Sequence, residues 1–102
     1  MKVKLDLNYP GFQKEWFVLS KEDFVATKNT LKKILLMDWN QIYTGKGLKW
    51  EKIHSMTTPG GRALYSIRLS KKFRAIVCRE KDFMVFISLH PDHDAVYRLM
   101  TS

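Results

Sequence analysis

The chain has 102 residues, 18 of them Lys or Arg and 10 Asp or Glu, for a net charge of +8. That length points to one domain over residues 1–102 with a single core, and a 45% hydrophobic content with 13% aromatics argues against disorder. A lone cysteine excludes an internal disulfide framework and a multi-cysteine zinc module. Apolar runs such as 34–37 are far too short for a membrane span, and the start of the chain lacks the apolar block of a signal peptide. A cytoplasmic location and no membrane partner are therefore expected.

Residues 2–8 alternate, with Val3, Leu5 and Leu7 on one side, which predicts a short half-buried strand. Pro10 suits a first helical turn, and Phe12, Trp16 and Phe17 share a side of a short helix ending near Leu19. Ser20 followed by Asp23 reads as a capping box. Phe24, Leu31, Leu35, Trp39 and Ile42 then recur at helical spacing, so one long amphipathic helix is predicted over about 20–42. The two helices make an αα-hairpin.

A short strand is expected over Leu48–His54, and Thr57-Thr58-Pro59-Gly60-Gly61 marks a loop. Three alternating segments follow. Ala63, Tyr65, Ile67 and Leu69 oppose Leu64, Ser66, Arg68 and Ser70; Phe73, Ala75 and Val77 oppose Arg74, Ile76 and Cys78; Phe83, Val85, Ile87 and Leu89 oppose Met84, Phe86, Ser88 and His90. Tight turns at Ser70-Lys71-Lys72 and Glu80-Lys81-Asp82 join them into an antiparallel meander. The segment 95–100 is expected to form a short helical turn. The predicted class is α+β: an N-terminal strand and an αα-hairpin on an antiparallel sheet of about four strands.

Charge is unevenly placed. Between Gly45 and Lys81 there are ten basic residues and two acidic ones, while the flanks carry eight of each. The whole excess lies in 37 consecutive residues, which suggests a basic surface for a polyanion, nucleic acid first. Lys46, Lys49, Lys52, Arg62, Lys71 and Lys72 are its candidate RNA contacts, with Trp50 able to stack on a base or to pack at a strand edge.

Arg68 and Arg74 lie on neighbouring strands close to one turn, so they can stand together on one face and grip a phosphate, a geometry that guanidinium matches. Both are expected on polar, solvent-facing sides, where truncation costs about half a kcal/mol or less. His90, His93 and Asp94 cluster at the end of the last strand and offer proton transfer. Their spacing is not that of a zinc site, and no metal is expected. Cys78, mid-strand, reads as an inert buried thiol. No Walker loop, GxGxxG or GxSxG occurs, so no cofactor is expected.

The segments Leu64-Tyr65-Ser66-Ile67-Arg68-Leu69, Phe73-Arg74-Ala75-Ile76-Val77, Val85-Phe86-Ile87-Ser88-Leu89 and His93-Asp94-Ala95-Val96-Tyr97 together resemble the RelE/ParE superfamily of bacterial toxins. The resemblance spans about residues 48–98, and the helical hairpin agrees in order and length. It implies a type II toxin neutralised by an antitoxin, commonly a small helix-turn-helix protein. Members of the RelE-like branch cleave mRNA on the ribosome without metal, by attack of the ribose 2′-hydroxyl on the adjacent phosphate. Members of the ParE-like branch instead poison DNA gyrase and are not nucleases. By this resemblance Arg68, Arg74, His93, Asp94 and Tyr97 are catalytic: the arginines on the phosphate, His93 moving a proton, Asp94 orienting it and Tyr97 positioning the nucleotide. Ser66 and Pro91 stand where RelE itself carries basic residues. A third reading is a non-toxic RNA-binding module.

Overall fold

The computed structural model describes residues 1–91. The expected helical turn at 95–100, and with it His93, Asp94 and Tyr97, lies outside the described residues. The elements run β1 (Lys4–Asp6), α1 (Pro10–Phe17), α2 (Lys21–Ile34), α3 (Trp39–Thr44), β2 (Glu51–Thr57), β3 (Ala63–Arg68), β4 (Arg74–Glu80) and β5 (Phe83–His90). The class is α+β. The strands form one mixed sheet in the order β1-β5-β4-β3-β2. It has five strands rather than about four because β1 joins β5 in parallel, pairing Lys4 with Phe83 and Asp6 with Val85.

Local sequence explains the helices. Pro10 opens α1, where its missing N–H costs nothing. The Ser20 hydroxyl accepts the Asp23 amide at 3.2 Å and caps α2. The expected single helix over 20–42 is broken into two. Backbone groups that a continuous helix would use go to the chain's first residues: Val3 N–H donates to the Met37 carbonyl, and Trp39 N–H to that of Met1, both at 3.0 Å. Asp38 restarts the helix, its amide held by Gln41 Oε1 at 2.8 Å. The new axis buries Trp39 and Ile42 and leaves Leu35 half exposed. Tertiary pairing here overrides a helical stripe that the spacing carries without interruption.

β2 starts three residues later than expected. Leu48 is drawn into the core and Lys49 takes a left-handed φ of 50°, so extended pairing begins only at Glu51. The loop before β3 is a hairpin turn closed by Gly61 N–H on the Thr58 carbonyl at 2.8 Å, and Gly61 needs its φ of 82°.

The core lies between the helices and one face of the sheet. Phe12, Leu31, Ile34, Trp39 and Ile42 pack against Ile67, Phe73, Ala75, Val77, Met84, Phe86 and Leu89. Phe12 sits 5.4 Å from Phe86, ring centre to ring centre, and fixes α1 over β5. Burying a side chain of this size contributes roughly 1.5–3 kcal/mol. The opposite face carries a second cluster of Ile53, Leu64, Ile76 and Cys78, flanked by Val85 and Ile87, with no helix residue in it among the described residues. We call this the outer face.

The strict alternation expected in β5 fails at one point. Ile76 pairs with Ser88 and Val77 with Phe86, so Ile87 is the extra residue of a β-bulge. Before it, Met84 and Phe86 face the helices; after it, Leu89 does. Val85, Ile87, Ser88 and His90 are left on the outer face. The physical reason is that two large side chains, Phe86 and Leu89, must both reach the core although an odd number of steps separates them.

Leu89 and Ile87 test the bulge, because uniform alternation makes them equivalent. Leu89→Ala is expected to cost about 2–5 kcal/mol as a core truncation. Ile87→Ala, at a half-buried position, is expected to cost less than about 1.5 kcal/mol. Urea unfolding of both variants measures the difference, and equal losses would contradict this register.

Candidate functional site

Three adjacent strands bring a row of basic groups together on the outer face. Arg68 of β3 is directly opposite Arg74 of β4, and Arg74 is directly opposite His90 of β5. Direct cross-strand partners stand about 4.5–5.5 Å apart at Cα, with side chains on one face. The next row inward is Glu51, Ser66, Ile76 and Ser88. The expected juxtaposition of the two arginines is therefore present, and it extends to His90.

Arg74 differs from its expectation. It is only 7% exposed, not solvent-facing. Its Nη1 donates to the carbonyls of Ser70 at 3.0 Å, Phe73 at 3.3 Å and Lys71 at 3.5 Å. These bonds add a charged donor to the β3–β4 turn, whose Ser70 and Phe73 carbonyls also accept backbone amides, and tie the turn to the sheet. Burial, and then the Arg68 charge beside it, lowers the proton affinity of Arg74; the Glu51 carboxylate acts the other way. The guanidinium still stays charged. Among the described residues its Nε and Nη2 have no partner. The Arg68 side chain is half-buried and likewise has no hydrogen-bond or ion-pair partner among the described residues. Two guanidiniums with donors to spare thus belong to directly paired positions on one face, an arrangement suited to an anion.

His90 is half-buried. Its Nε2 lies 2.8 Å from Ser88 Oγ. Burial pushes its pKa below the ordinary value, and the Glu15 carboxylate partly offsets this. The imidazole is therefore neutral at pH 7, the state in which it can accept a proton.

The remaining predicted cations do not gather on this face. Lys71 and Lys72 sit exposed in the turn that Arg74 braces, near the arginine row. Lys46 and Lys49 are exposed in the segment before β2. Lys52 is opposite Tyr65, on the helix side of the sheet. Arg62 pairs with Glu80 at 3.0 Å at the far end of the outer face. Trp50 packs among aromatics, stacked on Tyr65 at 4.3 Å and edge-on to Trp39 and Tyr43. Arg79 also lies on the helix side, 4.2 Å over the Trp39 ring and bonded to Tyr43 Oη. Cys78 is buried in the second cluster, and burial raises its pKa. Sequence spacing did not single out Glu51, Ser88 or the alignment of His90; the first needs the β2 register, and the other two need the bulge.

The two arginines should separate in stability. Arg74→Ala removes a buried guanidinium that bridges three turn carbonyls and is expected to cost about 1–3 kcal/mol. Arg68→Ala is expected to cost about half a kcal/mol or less. Thermal melts decide, and matching melts would show that the turn contacts of Arg74 contribute nothing.

His90 also sets a pH dependence. Its folded pKa is depressed, so the unfolded chain binds more protons as pH falls. Its contribution is full above the unfolded value of about 6.5 and is lost as pH falls towards the lower folded value. His90→Gln should flatten that part of the stability profile, measured by urea unfolding between neutral and mildly acidic pH.

Compared with models of known protein families, with curated proteins and with solved structures, the chain matches none.

Proposed function

We propose that the chain is a RelE/ParE-type toxin that cleaves RNA without metal at the outer face of its sheet. The observation that carries this reading is the register Arg68–Arg74–His90, which lines two guanidiniums and a neutral imidazole across three strands. The order of elements is compatible with it: helices after a first strand, then a sheet whose last three strands form a meander.

In this reading the spare donors of Arg68 and Arg74 hold the two non-bridging oxygens of the scissile phosphate. His90 takes the proton from the ribose 2′-hydroxyl. The 2′-oxygen forms a bond to phosphorus, and the bond from phosphorus to the 5′-oxygen breaks. The products are a 2′,3′-cyclic phosphate and a 5′-hydroxyl that has gained a proton from water. The arginines stabilise charge that grows on the phosphorane, where fixed cations contribute most. This moves the proton-transfer role expected of His93 to His90. Tyr97 keeps its expected role of positioning the nucleotide, and Asp94, expected to orient His93, has no role in this step.

Lys71 and Lys72 extend the positive field beside the arginine row and serve as contacts to ribosomal RNA or message. A cognate antitoxin is expected to be acidic where it meets this face, since buried like charges need compensation. Among the described residues no helix is long and apolar enough to cross a membrane.

Ribosomes programmed with a defined message test the reading, with primer extension as the readout and growth arrest on induction beside it. Arg68→Ala is expected to stay folded and lose roughly 10²–10³ in cleavage rate. His90→Gln is expected to lose roughly 10²–10⁴. Growth arrest with intact message and inhibited DNA supercoiling would overturn cleavage and favour gyrase as the target.

A further inference from the structure

The outer edge of β5 is only partly paired. β1 covers Phe83 to Val85 and then stops. Beyond the bulge, the amide of Leu89 points to that edge, where a neighbouring strand would accept it. No strand among the described residues does. Glu15 of α1 accepts it instead, Oε1 to N at 3.1 Å, across 74 positions of sequence. Glu15 is half-buried, and it is fixed there because α1 is anchored by Phe12 one turn earlier, against Phe86. The residue whose amide it holds is the immediate neighbour of His90.

We infer that Glu15 is a positioning residue, a carboxylate clamp that holds the end of β5 so that His90 stays in line with Arg74 and Arg68. Its effect on cleavage rests on the proposed role of His90; the clamp itself does not.

Three features support the assignment. A carboxylate receiving a backbone amide makes a stronger bond than a neutral acceptor does. Its position at the sheet edge replaces the missing strand for one residue, so the end of β5 does not fray. Its charge also reaches the imidazole, where it favours the protonated form against the effect of burial. Among the described residues, Glu15 from α1 is the charge that acts on the His90 ring; Arg74 of β4 and Arg68 of β3 share its cross-strand row, and Ser88 on its own strand supplies a neutral hydroxyl. A carboxylate that reaches the imidazole, with arginines in the same cross-strand row, suits a base that takes a proton beside a phosphate.

Two variants separate the hydrogen bond from the charge. Glu15→Gln keeps an acceptor oxygen and removes the charge. Glu15→Ala removes both. The readouts are amide hydrogen exchange at Leu89 and titration of the His90 ring by NMR, assigned by its loss in His90→Gln. Glu15→Ala is expected to speed Leu89 exchange about tenfold, while Glu15→Gln leaves it close to the parent. Both are expected to move the His90 midpoint downward. A midpoint unmoved in both, or Leu89 exchange unchanged in Glu15→Ala, would overturn the clamp. If Glu15→Ala does not fold, the midpoint in Glu15→Gln decides alone. Cleavage by Glu15→Gln on programmed ribosomes is then followed against pH. The acidic limb of the profile should move down with the His90 midpoint, with KM for the programmed complex unchanged. A midpoint that moves while the cleavage profile stays would support the clamp and remove His90 from the chemistry.

Discussion

A single inserted residue governs what the sheet can do. Side chains in a strand alternate with a period of two, so one extra residue sends everything beyond it to the other face. Ile87 is that residue. Without it, Phe86 and Leu89 could not both be buried, and Ser88 and His90 would exchange faces with their neighbours. The helices need both apolar anchors, since α1 packs directly on β5 through Phe12. The bulge thus reconciles two demands on one strand. It completes the core on one side and delivers an imidazole to the arginines on the other.

Arg74 joins stability and chemistry in a similar way. A buried guanidinium is costly unless its donors are met. Three turn carbonyls meet some of them and orient the plane of the group. Arg68 is less buried and has no side-chain partner among the described residues. Glu51 lies in the neighbouring row, and its negative charge eases the repulsion between the two arginines.

Much of this was legible in the chain itself. The cap at Ser20, the three-strand meander and the pairing of Arg68 with Arg74 follow from local signals: a hydroxyl three residues before an acid, period-two alternation and a short turn. What escaped was non-local. The helix over 20–42 breaks because residues 1–3 take the backbone bonds near Met37 and Trp39, and no periodicity within the helix records that. The parallel return of β1 to β5 has no turn to announce it. The bulge hides because Val85, Ile87 and Leu89 read as a regular alternation, and only the packing of Phe86 decides otherwise. Arg74 looks like any polar-face arginine until the turn carbonyls beneath it are counted.

The pairing of β1 with β5 has a further consequence, for the order in which the molecule takes shape. Lys4 meets Phe83, so 79 positions separate the partners. At synthesis rates of about 5–20 residues per second, the first strand waits roughly 4–16 s for its partner to be made. The β3–β4 hairpin has only a short turn to close, so once its strands are free it forms without waiting for so distant a partner. Of the three residues in the row, the group proposed to move the proton is the last to arrive.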